Sequence, residues 1–177
     1  MMNRIKRHIM RLAALVAVVV AAQACSVSFY KFNGASLDYN KYKTASIGNF
    51  PIRAALVYPP LQQLFENKIT DMVAQQTRLR TIDSPQSDLR LEGEITGYTL
   101  TPQAVGENAY ASKTRLTISV HVKYINNREP ALSSEQTFSA YRDFDSSQML
   151  SDVQDELCTQ ICNDLADLIF NATFGNW

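Results

Sequence analysis

Apolar and polar positions recur along this chain in two rhythms, one of period two and one near 3.6. The cleanest alternation runs from Lys113 to Ile125. It sets Leu116, Ile118, Val120, Val122 and Tyr124 on one side and Lys113, Arg115, Thr117, Ser119, His121 and Lys123 on the other, which predicts a half-buried strand. A second alternating run, Asp88 to Leu100, predicts another strand with Leu89, Leu91, Gly93, Ile95 and Gly97 inward and Arg90, Glu92, Glu94, Thr96 and Tyr98 outward. Asn126 to Pro130 is turn-forming sequence, and Glu135–Asp143 follows as a further strand with Phe138 and Ala140 on one face. Three consecutive antiparallel strands are expected.

Helical spacing appears twice. Pro59-Pro60 can open a first turn, where proline is tolerated, and Leu61, Leu64, Phe65, Ile69, Met72 and Val73 then form a stripe that should end near Gln76. A longer helix is predicted from about Ser147. Asp145 and the serines are its cap candidates, and Asp152, Asp155 and Glu156 favour its positive end. Its apolar stripe is Met149, Leu150, Val153, Leu157, Ile161, Leu165 and Leu168, with Cys158 and Cys162 at the margin. Shorter elements complete the pattern: an extended arm over Ser26–Phe32, strands at Thr44–Phe50 and Leu79–Ile82, a turn at Asp83–Pro85, and a connection over Thr101–Ser112 long enough to suggest a role beyond closing a hairpin. The expected fold class is α+β, a two-layer sandwich. Two helices pack on one face of a mostly antiparallel four- to five-stranded sheet, and the other, polar face is left uncovered.

The N-terminus follows a different logic. Basic residues Arg4, Lys6, Arg7, His8 and Arg11 precede an apolar run from Leu12 to Ala22 and the small-residue junction Ala22-Gln23-Ala24-Cys25, the order of an export signal. The run is shorter than the roughly 20 residues a spanning helix needs. The junction resembles the lipobox of bacterial lipoproteins, with Ala22 where leucine is commoner, so residues 1–24 are expected to be a lipoprotein signal peptide and Cys25 the acylated first residue of a single domain, 25–177. Several acyl chains anchor stably where one is marginal. Of 17 Lys and Arg, four leave with the signal, so 13 remain against 17 Asp and Glu, a net charge of about −4. A nucleic-acid partner is disfavoured, because neutralising phosphates needs a basic excess.

Candidate chemistry is sparse. Cys158 and Cys162 stand one helical turn apart with Cβ atoms about 5–6 Å apart, beyond the roughly 3.5–4.5 Å of a disulfide, so buried thiols are expected. They make at most half a metal site, since His121 is the one histidine after position 25. The sequence contains no P-loop, GxGxxG, GxSxG or HExxH motif, and no cofactor or catalytic site is expected. His121 could act as a base only with a paired acid, and none is evident from the alternation. Arg90, Lys113, Arg115 and Lys123 share the outward face with His121. As a cationic stripe on an acidic chain they are candidate contacts to phosphate or carboxylate groups, or else simply solubilise and protect the sheet.

The anchor cysteine, the segment Cys25-Ser26-Val27-Ser28-Phe29-Tyr30, the helix after Pro59-Pro60, the strand Leu91-Glu92-Gly93-Glu94-Ile95-Thr96-Gly97-Tyr98 and the closing helix together resemble the lipopolysaccharide-assembly lipoprotein family, LptE. The resemblance implies a non-catalytic plug and assembly partner of the outer-membrane β-barrel LptD, in contact with lipopolysaccharide and held to the membrane by its lipid anchor. Ser26 is not the aspartate that retains lipoproteins at the inner membrane, which implies outer-membrane sorting on the periplasmic side. The residues themselves leave a second reading open, an envelope scaffold or binding lipoprotein unrelated to LptD.

Overall fold

The computed structural model describes residues 37–56, 58–103 and 113–175. Cys25, the signal segment, the Ser26–Phe32 arm and residues 104–112 of the long connection lie outside the described residues. Among the described residues, five strands and two helices follow in chain order: β1 (Thr44–Ile47), α1 (Pro60–Gln76), β2 (Arg80–Thr81), β3 (Leu89–Gln103), β4 (Lys113–Asn126), β5 (Ser134–Asp145) and α2 (Leu150–Thr173), with a short 3-10 turn at Pro130–Leu132.

The sheet order is β2-β1-β3-β4-β5. β3, β4 and β5 form the expected antiparallel meander, but β1 runs parallel to both β2 and β3. The sheet is therefore mixed. A parallel neighbour needs a crossover, and α1 supplies it between β1 and β2. Both helices pack on one sheet face. Leu61, Phe65, Ile69 and Val73 of α1, and Leu157, Ile161, Leu165 and Ile169 of α2, are buried against Ala45, Leu89, Leu91, Ile95, Leu116, Ile118 and Val120. Full burial of such side chains contributes about 1.5–3 kcal/mol each before entropic costs. Edge-to-face pairs Phe50–Phe65 and Tyr124–Phe174 fill the two ends of the layer.

Four expectations change. Strand β3 carries a bulge: Ile95 pairs with Val120 and Gly97 with Ser119, so Thr96 is an extra residue. One inserted residue inverts every later side chain, and Tyr98, expected outward, is buried while Gly97 lies on the face of Ser119. Helix α2 begins at Leu150 instead of Ser147, because the Asp145 carboxylate accepts from the Ser147 amide (2.8 Å) and hydroxyl (2.6 Å) and builds a local turn in place of a helix cap. Its buried stripe also lies further round than expected, taking Cys158 and Cys162 into the core and leaving Met149 and Leu168 exposed. Finally, β1 stops at Ile47 and β3 runs on to Gln103.

Candidate functional site

The sheet face opposite the helices is covered by no described element, and the period-two pattern sends the polar set there. At its centre the bulge and a glycine allow close approach. A Cβ on Gly93 would stand 2.0 Å from the His121 carbonyl oxygen, so only glycine fits between β3 and β4 at that point.

The four outward cations and the histidine predicted from sequence all sit on β3 and β4, as expected from their parity. The structure adds their neighbours. Arg115 makes a two-point pair with Asp143 of β5, Nε to Oδ1 at 2.7 Å and Nη2 to Oδ2 at 2.9 Å, and stacks 3.7 Å from the centroid of the Tyr141 ring. Its guanidinium holds the Asp143 carboxyl below the ordinary carboxylate range. Arg90 pairs with Glu92, two residues along the same strand. His121 has an acid partner after all: Nε2 lies 2.6 Å from Glu135 Oε1, and Nδ1 lies 3.1 Å from Thr137 Oγ1. Lys113 and Lys123 are exposed and take part in no ion pair among the described residues. The stripe is thus a mixed lattice in which cations alternate with Glu92, Glu94, Glu135 and Asp143, and two lysines remain uncompensated by direct contact.

These carboxylates escaped the sequence reading because their nearness depends on cross-strand register. The signal was present in the hairpin: once the turn at Asn126–Pro130 centres β4 on β5, Lys123 faces Glu135, His121 faces Thr137 and Arg115 faces Asp143.

Part of this face is concave. A cleft of about 660 Å³ is floored by Arg90, Glu92, His121 and Lys123 and rimmed by Gly48–Asn49 and Ser84–Pro85. The Ser84–Pro85 rim is fixed from below. Asn127 Nδ2 donates to the Ser87 carbonyl (2.6 Å) and the Pro85 carbonyl (3.2 Å), and the Ser87 hydroxyl donates to Ser46 Oγ at 2.8 Å. Beneath these, the buried Asp88 carboxylate accepts from the Lys43 amide (2.8 Å), the Thr44 amide (3.0 Å), the Thr44 hydroxyl (3.1 Å) and Arg128 Nε (2.5 Å). Burial alone would raise the Asp88 carboxyl, but these donors together outweigh it and hold it below the usual range. Asp88 and Asn127 thereby join β1, β3 and the β4–β5 turn into one frame for the rim.

Among the described residues no group of three or more His, Cys, Asp or Glu is placed to hold a metal ion, and no described helix is long and apolar enough to cross a membrane. Cys158 and Cys162 are free, buried thiols on the other side of the sheet. Burial pushes them up to about 11 and about 12 respectively, so neither supplies a thiolate nucleophile at neutral pH.

Sequence comparison matches residues 42–173 to the model of the family described as LptE, lipopolysaccharide-assembly. No curated protein matches the chain. Similar solved structures include a minor lipoprotein from Acinetobacter baumannii, 14% identical over 72% of this chain and 89% of that one, with a TM-score of 0.47. Rare lipoprotein B from Shewanella oneidensis is 12% identical over 72% of this chain and 92% of that one, with a TM-score of 0.45. A protein from Xanthomonas campestris is 13% identical over 74% of this chain and 84% of that one, with a TM-score of 0.49.

Proposed function

This chain belongs to the LptE family of lipopolysaccharide-assembly proteins, and from that premise we propose that it is an outer-membrane lipoprotein that serves as plug and assembly partner of an LptD-like β-barrel. The observation that carries this reading is the family match, which spans every described strand and both described helices in full. In this reading residues 1–24 are removed on export, and Cys25 carries the acyl chains that hold the domain at the periplasmic surface. The protein acts by binding and catalyses no reaction.

The uncovered sheet face supports that role. Its broad polar surface, with ion pairs already formed between side chains, can meet the polar lining of a barrel lumen without leaving buried charges unpaired. Lys113 and Lys123, having no carboxylate in direct contact, are the residues best disposed to meet lipopolysaccharide phosphates, with Arg90, Arg115 and His121 alongside them. For the arginines and the histidine, a phosphate must compete with a carboxylate already in place.

The test is purification of the tagged protein from outer membranes. A large β-barrel is expected to co-purify in equal amount. Recovery of the lipidated protein with no barrel would overturn the LptD reading in favour of an envelope scaffold. Mass spectrometry of the same sample should find a diacylglycerol-modified Cys25 as the first residue, and an unmodified Cys25 would remove the anchor.

A further inference from the structure

The two edges of the sheet are treated very differently. The β2 edge is two residues long, too short to template another strand. The β5 edge is twelve residues long, pairs with β4 without a register shift, and contains no proline, glycine or lysine. None of those edge-blocking devices is present. Its charged residues are engaged elsewhere: Glu135 and Asp143 pair with His121 and Arg115 of β4, Asp145 accepts from Ser147, and Arg142 is drawn toward α2, where Nη1 meets Asp164 Oδ2 at 2.5 Å and Nε meets Gln160 Oε1 at 3.1 Å.

A groove of about 580 Å³ runs along this edge. It is lined by the consecutive strand residues Ser139–Asp143 and by Asp164, Asp167 and Leu168 of α2. Tyr141 and Leu168, half exposed at 50% and 47%, offer apolar surface beside the strand backbone. The helical wall is one-signed: α2 carries Asp152, Asp155, Glu156, Asp164 and Asp167 and no Lys, Arg or His.

We propose that the groove between β5 and α2 is a docking site for an extended segment of a different protein, which adds a sixth strand to the sheet at β5 and carries alternating apolar and basic side chains. Main-chain hydrogen bonds to the β5 edge, beyond which no described strand pairs, would supply affinity. Because alternate side chains of an added strand face opposite sides of the sheet, the basic ones would face α2, laying their stems over Leu168 to reach Asp167 and the Asp164 carboxylate shared with Arg142, and the apolar ones would lie beside Tyr141 on the other face. Charge argues against a second copy of this chain as the occupant. Pairing two β5 edges would bring two acidic α2 helices together, and like charges at close range cost affinity.

The inference is tested on the protein as purified from membranes, in detergent micelles. The probes are a synthetic peptide of about ten residues alternating valine and lysine and its valine–glutamate counterpart, a length matched to one strand. Amide hydrogen exchange is read across the whole chain. The lysine peptide is expected to protect β5, with binding about tenfold weaker for the glutamate peptide and for Asp164→Asn/Asp167→Asn. Asp167→Lys, a change at an exposed position that leaves the Arg142 pair intact, should weaken binding similarly and covers the case in which the double variant folds poorly. Protection confined to α2 or to the polar sheet face, with β5 unchanged, would overturn the proposal, because the peptide would then be held by charge alone. Protection of β5 that rises with protein concentration in the absence of peptide would also overturn it by assigning the edge to self-association.

Discussion

Replacing Asp88 tests whether the frame beneath the cleft is held by one buried carboxylate. Both backbone donors, the Lys43 and Thr44 amides, fall on Oδ2, while Arg128 meets Oδ1. In Asp88→Ala these two amides lose their acceptor at about 1–1.5 kcal/mol each, and Arg128, more than half exposed, largely recovers water, so the expected loss is about 3 kcal/mol. Asp88→Asn can keep an oxygen at the Oδ2 position but sets an NH2 group against Arg128, so its loss should be nearer about 1 kcal/mol. Acid should shrink both differences. The Asp88 carboxyl is depressed in the folded protein, so its contribution is complete above the ordinary carboxylate range and disappears as pH falls through the folded value. Urea denaturation followed by circular dichroism reads these numbers, with the midpoint moving and the slope unchanged. Equal losses for Asn and Ala, or a gap between wild type and Ala that persists undiminished at low pH, would refute the assignment of the frame to this side chain.

Other outcomes are equally definite. Gly93→Ala should cost more than about 3 kcal/mol or prevent folding, since a backbone carbonyl 2.0 Å from the new Cβ cannot rotate away; a near-normal melting temperature would contradict the close approach of β3 and β4. Tyr98→Phe should lose about 1 kcal/mol with the 2.7 Å bond from Gln154 Nε2, and Tyr98→Ala about 3–5 kcal/mol; a harmless Tyr98→Ala would place this ring outside the core and the bulge in error. Cys158 and Cys162, pushed up to about 11 and about 12, should react with iodoacetamide at neutral pH only as fast as the protein unfolds, which labelling followed by mass spectrometry can compare directly with the unfolding rate. Lys113→Glu/Lys123→Glu should weaken binding to lipopolysaccharide-containing vesicles severalfold while leaving thermal stability within about 0.5 kcal/mol, and unchanged binding would remove this face from lipopolysaccharide contact.

Much of the architecture is legible from local periodicity alone. Alternation over Lys113–Ile125 and helical spacing over Leu61–Val73 each state which side chains share a side of one element, because pleat and helix turn are properties of the local backbone. The sandwich, its helical layer and its polar outer face follow from that. What the sequence could not decide by itself is everything that depends on neighbours from elsewhere in the chain. The extra residue at Thr96 leaves no local mark, yet it turns Tyr98 inward, and the direction of β1 depends on the crossover through α1. The side of α2 that takes Cys158 and Cys162 in place of Leu168 depends on how that helix lies against β4 and β5. The acids beside Arg115 and His121 come from β5, brought opposite by pairing register, which long-range hydrogen bonding and core burial set together.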